Sequence, residues 1–198
     1  MKKICLQLLL VAVALFTLPA PGAARESFLF GIQANRSAID LHAEIRFHTQ
    51  PSTVYAGGNG LYYEDKYSIF STHAMVGNVI SRGLTGKIGF KGFVGEYERS
   101  RHYDPDLLAL AFSISGSYDL SEVIITHYVP VILHATISYS PRSISFDDTE
   151  RFFESLFAAD WMFLENAAIT ASVRYLDVHF KQWESSHGSG YLGFKFIF

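Results

Sequence analysis

Residues 38–48 constrain the fold more than any other stretch of the chain. Ile39, Leu41, Ala43, Ile45 and Phe47 alternate with Asp40, His42, Glu44, Arg46 and His48. A helix would scatter these charges around its axis. A strand separates them completely, because its side chains repeat with a period of two. An eleven-residue strand with one fully apolar face and one fully charged face suits a wall between hydrocarbon and a polar interior.

The same alternation recurs along the chain. Residues 84–97 set Leu84, Ile88, Phe90 and Val94 against Thr85, Lys87 and Lys91. Residues 107–118 set Leu108, Leu110, Phe112, Ile114 and Tyr118 against small and polar residues such as Ser113. Residues 129–140 set Leu133 and Ile137 against His134, Thr136 and Ser138. Residues 151–163 set Phe153, Phe157, Trp161 and Phe163 against Glu154 and Asp160. Residues 167–178 set Ile169, Val173 and Tyr175 against Thr170, Ser172 and Arg174. Residues 27–34 are a short opening segment, and 53–62 and 67–80 alternate less cleanly, the first because of Gly57, Gly58 and Gly60. Leu192, Phe194, Phe196 and Phe198 line one face of the closing segment.

Ten segments result. The predicted fold is all-β, an antiparallel transmembrane β-barrel of ten strands, with an eight-stranded barrel plus N-terminal extension as the alternative. A barrel with both ends of its wall on one side needs an even strand number, with short turns at one end and longer loops at the other. Short turns fall near 49–51, 81–82 and 165–166, and longer polar stretches at 99–106, 142–149 and 181–187. The connection 119–127 fits badly, being long and apolar where a short turn belongs. Tyr62, Tyr63, Tyr67, Tyr97, Tyr118, Tyr128 and Tyr139 sit near strand ends, where interfacial aromatic girdles are expected.

The N-terminus supplies the address. Lys2 and Lys3 precede an apolar run, Leu8 to Leu18, which ends in Pro19 and Pro21 before Gly22-Ala23-Ala24. This is the layout of a secretory signal peptide cleaved after Ala24, leaving one domain, 25–198. A membrane anchor is the competing reading, but the run is short and broken by proline. Cys5 is the only cysteine, so an exported chain has no disulfide to hold it. Losing Lys2 and Lys3 lowers Lys+Arg from 16 to 14 against 19 Asp+Glu, without any block of one sign, which argues against a nucleic-acid partner.

Some stretches resemble a known family. Leu41-His-Ala-Glu-Ile-Arg-Phe47 followed by Tyr55-Ala-Gly-Gly58 resembles the opening of the YfaZ family of outer-membrane proteins. Tyr139-Ser-Pro-Arg-Ser-Ile-Ser-Phe-Asp-Asp148 is similar to that family's Tyr-Ala-Pro and Ser-Phe-x-Asp, with Ser140 in place of Ala. Val173-Arg-Tyr-Leu-Asp-Val-His-Phe180 resembles its penultimate strand. The resemblance implies a bacterial outer-membrane location and a barrel fold. It implies no catalytic residue. Outer-membrane lipid and lipopolysaccharide are then the expected surroundings. The closing strand with Leu192, Phe194, Phe196 and Phe198 resembles the C-terminal signal that the barrel-assembly machinery reads.

The candidate functional residues are the inward charges: Asp40, His42, Glu44, Arg46, His73, Lys87, Lys91, Glu154, Asp160, Arg174 and Lys195. In a narrow barrel side chains fill the interior, and buried charges must be paired. A lumen plugged by ion pairs, with a structural or interaction role, is the expected arrangement. A narrow pore for small solutes is the alternative. An envelope-lipid hydrolase built on His187 and Ser189 comes third, because a serine nucleophile needs a base and the base a carboxylate, and only Glu184 is near in sequence. Arg142, Asp147 and Asp148 are a further candidate for lipopolysaccharide or a divalent ion. No cofactor or metal spacing is recognisable.

Overall fold

The computed structural model describes residues 25–64, 66–98, 105–124 and 129–198. The signal-peptide segment 1–24 and Tyr128 lie outside the described residues. Ten long strands are present: β1 (Arg25–Ala34), β2 (Ala38–His48), β3 (Thr53–Tyr63), β4 (Tyr67–Ser81), β5 (Leu84–Tyr97), β6 (Asp106–Asp119), β7 (Val131–Ser140), β9 (Thr149–Leu164), β10 (Ala167–Phe180) and β11 (Trp183–Ile197). Each pairs antiparallel with its sequence neighbour in this series. β1 pairs with β11, and β5 with β6, so the sheet closes on itself as a ten-stranded antiparallel barrel. Closure leaves no sheet edge along the wall. Among the described residues no helix is long and apolar enough to cross a membrane.

The alternation decides which way each side chain points. Leu41, Phe90, Phe112, Phe157, Val173 and Leu192 face outward and are exposed, while Asp40, Lys91, Ser113, Glu154 and Arg174 are buried inside. Glycine matters at two places. Gly57 lies in register between Glu44 and His73. A Cβ there would stand 2.3 Å from the Ala43 carbonyl oxygen and 2.7 Å from the His73 ring. Gly83 has φ +74° in the β4–β5 turn, a conformation that costs other residues more.

Several connections differ from the sequence reading. Residues 181–187 are not a loop. β10 and β11 form a hairpin turning at Lys181-Gln182, with Phe180 paired to Trp183, so Ser185, His187 and Ser189 are strand residues. The stretch 142–149 is also ordered. A 3₁₀ turn at Arg142–Ile144 leads into a short strand, β8 (Ser145–Asp147), which pairs with Leu107–Ala109 of β6. β7 covers β6 only from Phe112 to Asp119, and β8 satisfies part of the backbone that β7 leaves open. β7 starts at Val131 and not at 129, because Pro130 has no N–H for a ladder. Within 119–127, Leu120–Val123 forms a one-turn helix, α1, capped by Asp119.

The tyrosines near the strand ends also divide. Tyr62 and Tyr139 face outward, but Tyr67 and Tyr97 are buried inside and Tyr63 packs against them. These three are therefore not girdle residues. With Phe93, Phe152, Phe180 and Trp183 they form an aromatic cap that fills the barrel at the end opposite the β4–β5 turn. Phe93 and Phe152 have ring centroids 4.1 Å apart, and Phe180 stacks on Trp183 at 5.6 Å.

Candidate functional site

Beneath the aromatic cap the lumen becomes polar. β2 supplies Asp40, His42, Glu44 and Arg46 on one face. β10 supplies Arg174, β9 supplies Glu154 and Asp160, β5 supplies Lys87 and Lys91, β4 supplies His73 and β11 supplies Lys195. All eleven side chains point into the barrel, and they assemble into three groups.

The first group lies directly under the cap. Arg174 reaches Asp40 at 2.8 Å and Glu154 at 3.5 Å, and Lys91 meets the other Glu154 oxygen at 2.6 Å. Asn59 donates to Asp40 and to the Leu41 carbonyl oxygen, and accepts from Arg174 at 3.5 Å. Ser113 donates to Ser138 at 2.8 Å, and Ser138 donates to Glu154 at 3.4 Å. The side chains of Asp40, Arg174 and Glu154 are at most 5% exposed. Each charge removed from water here has an opposite charge beside it, which is what burial of ions requires.

The second group centres on Glu44. Arg46 donates to one carboxylate oxygen at 2.8 Å, and the other faces His73 at 3.3 Å and Lys87 at 3.9 Å. The Glu44–His73 contact passes over Gly57, whose missing side chain makes the room. His42 stacks on His73 with planes 7° apart. The third group centres on Asp160, which accepts from Thr170 at 2.8 Å, meets His134 at 2.8 Å and is bridged to Lys195. Asn59, Ser113, Ser138, His134 and Thr170 were not among the candidate residues. His134, Ser138 and Thr170 carried the inward phase of their strands; Asn59 sat among glycines that blurred the pattern of β3.

The other candidates are arranged differently. Ser189 and His187 are hydrogen-bonded at 2.8 Å. The His187 ring stands edge-on to Tyr63 and Tyr67, and Glu184 turns to His179 at 3.2 Å. The acid that a nucleophile–base pair would need is thus engaged elsewhere. Arg142 is paired with Glu150 at 3.0 Å on the surface. Asp147 has φ +56° at the end of β8. Among the described residues no three His, Cys, Asp or Glu side chains are grouped to hold a metal ion.

Below the Asp40–Arg174–Glu154–Lys91 group the lumen opens into a cavity of about 210 Å³, walled by parts of the other two groups, at the end carrying the β4–β5 turn and α1. Arg46, Tyr55, Lys87, His134, Asp160 and Lys195 line it, with Asp119 and Glu122 at its rim. The interior is therefore graded: aromatic at one end, ion-paired in the middle, open and polar at the other.

No family model matches this chain, and no curated protein matches it. One solved chain, from a study called "Unveiling the Mechanism Behind the in-meso Crystallization of Membrane Proteins", is similar with 10% identity and a TM-score of 0.39, over 87% of this chain and 83% of that one. A likeness at that level carries no argument about function.

Proposed function

We propose that this chain is a small outer-membrane β-barrel with a plugged lumen, serving a structural or interaction role in the envelope. The observation that carries the reading is the inversion of the two surfaces. Phe30, Phe90, Phe112, Phe157, Trp161 and Phe194 are 37% to 56% exposed on the outer face, while Glu154, Asp160 and Arg174 are 4% exposed or less inside. Monomeric soluble proteins rarely expose large contiguous apolar surfaces. In hydrocarbon the same belt is solvated, and a closed ladder satisfies the backbone.

The signal-peptide pattern and the resemblance to the YfaZ family support the same location. The closing strand, with Leu192, Phe194 and Phe198 exposed on its outer face, suits recognition by the assembly machinery, and its last residue exchanges backbone hydrogen bonds with Phe28 at 2.9 and 2.7 Å. The aromatic cap over the ion-paired layer favours a plug over a pore.

Membrane fractionation tests the proposal. The protein is expected in the outer-membrane fraction, resistant to carbonate extraction, with a gel mobility that changes on boiling because the closed ladder resists detergent until heated. Recovery in the soluble fraction with one mobility before and after boiling would overturn it.

A further inference from the structure

We propose that the lumen cavity beside the β4–β5 turn is a binding site for a small oxyanion, with the Lys87 ammonium as its central contact. The ion-paired interior places Arg46, Lys87, Lys91, Arg174 and Lys195 among Asp40, Glu44, Glu154 and Asp160, one cation more than carboxylate. Four of the cations have a carboxylate within hydrogen-bond distance: Arg46 on Glu44, Lys91 on Glu154, Arg174 on Asp40 and Lys195 on Asp160. Lys87 is the surplus one. Its nitrogen is 3.9 Å from the Glu44 oxygen it faces, beyond hydrogen-bond length, and 3.7 Å from the centroid of the Tyr55 ring. Its side chain is only 14% exposed. A desolvated ammonium on a cavity wall with donors unspent is an invitation to an anion.

The surroundings fit that ligand. Arg46, Lys87, His134 and Lys195 come from β2, β5, β7 and β11, so they approach the same space from four sides of the barrel. Arg46 already donates to Glu44, and Lys195 and the His134 Nε2 face Asp160, so Lys87 is the contact that would lead, with the further guanidinium and ammonium N–H groups of Arg46 and Lys195 and the hydroxyls of Thr85 and Ser117 around it. Converging donors from different directions suit a compact anion with several oxygens, such as phosphate, better than an extended chain. Three carboxylates also line the cavity: Asp160, which is held by Lys195 and His134, and Asp119 and Glu122 beside the turn. Asp119 accepts from the Ser121 amide at 2.9 Å and hydroxyl at 2.6 Å, and Glu122 from the Gly83 amide at 3.0 Å. These two carboxylates hold the β4–β5 turn and α1 together. The site lies inside the wall, so it does not depend on what surrounds the barrel.

The test uses the full-length folded barrel in detergent and inorganic phosphate as the probe, with chloride balancing the ionic strength. Calorimetric titration is expected to show saturable binding, weakened at least tenfold in Lys87→Gln and unchanged in Lys66→Gln at the opposite end. In the wild type, phosphate is expected to slow acetylation of Lys87 and Lys195, read by mass spectrometry, while Lys181 reacts at its usual rate. This second measurement decides the matter if Lys87→Gln does not fold. Absence of saturable phosphate binding, equal binding by the Lys87→Gln variant, or equal labelling of Lys87 with and without phosphate would each overturn the proposal.

Discussion

Arg174 and Asp40 lie on β10 and β2, strands that are not neighbours in the ring, and their side chains meet across the lumen at 2.8 Å. The pair is a strut between walls that share no backbone hydrogen bond. Removing one partner strands the other in a dry interior. Arg174→Met is expected to destabilise the barrel by about 3–5 kcal/mol. Adding Asp40→Leu to that variant should recover part of the loss, because Glu154 keeps Lys91. Denaturant unfolding of the two single variants and the double variant closes the cycle; additive losses would mean that the two residues do not act as a pair.

Gly57 tests the second charged group. An added methyl would meet the Ala43 carbonyl and the His73 ring at distances no packed Cβ shows. Gly57→Ala is expected to cost about 1–3 kcal/mol by overpacking. Gly60→Ala, on the same strand, faces open space and should be close to neutral by comparison. Equal stability of the two variants in thermal unfolding would show that Glu44 and His73 do not need the gap.

The two faces of β6 separate a membrane wall from a soluble one. Leu110 is 40% exposed on the outside, and Ser117 lines the lumen cavity. In lipid, Leu110→Arg is expected to cost on the order of 2–4 kcal/mol, whereas Ser117→Arg meets water. A spin label at 110 should be relaxed by oxygen and shielded from a water-soluble reagent, and a label at 117 the reverse. Water accessibility at 110 in reconstituted protein would count against a lipid-facing wall.

The graded interior makes a statement about conduction. Tyr97 contacts Tyr67 at 5.1 Å, Phe180 at 5.2 Å and Trp183 at 6.0 Å, and the Asp40–Arg174–Glu154–Lys91 layer lies beneath. Wild-type protein in a planar bilayer is expected to give no stepwise conductance. Tyr97→Ala should also remain silent, because thinning the cap leaves the ion pairs in place. Regular conductance steps in the wild type would replace the plug with the narrow pore.

Much of the wall was legible in the sequence because a strand's inside and outside follow from parity. Once the phase of β2 is read from Asp40 to Arg46, each charge has one direction to point. Partners were not legible. Arg174 could have met any carboxylate at its level, and which residues share a level depends on the stagger between strands, set by every turn and bulge along the way. The Val79–Ser81 irregularity between β4 and β5 and those flanking β10 shift that stagger without a sequence signature. The tyrosines misled for a related reason. Proximity to a strand end says nothing about side, and Tyr67 and Tyr97 carry inward parity. The hairpin at 181–182 was hidden because Ser, Gly and His are read as loop residues, although Ser185, His187 and Ser189 share the inward phase of β11.

The seam between β1 and β11 pairs only Leu29–Ala34 with Leu192–Ile197, apart from the Phe28–Phe198 exchange, a shorter ladder than any other in the ring. It also joins residues that stand farthest apart along the chain. Bringing them together closes the longest loop available, so its entropy is spent before those few bonds form. Shutting the ring is therefore expected to come late in folding, and the seam is where an intact barrel is expected to come unzipped first under a pulling force.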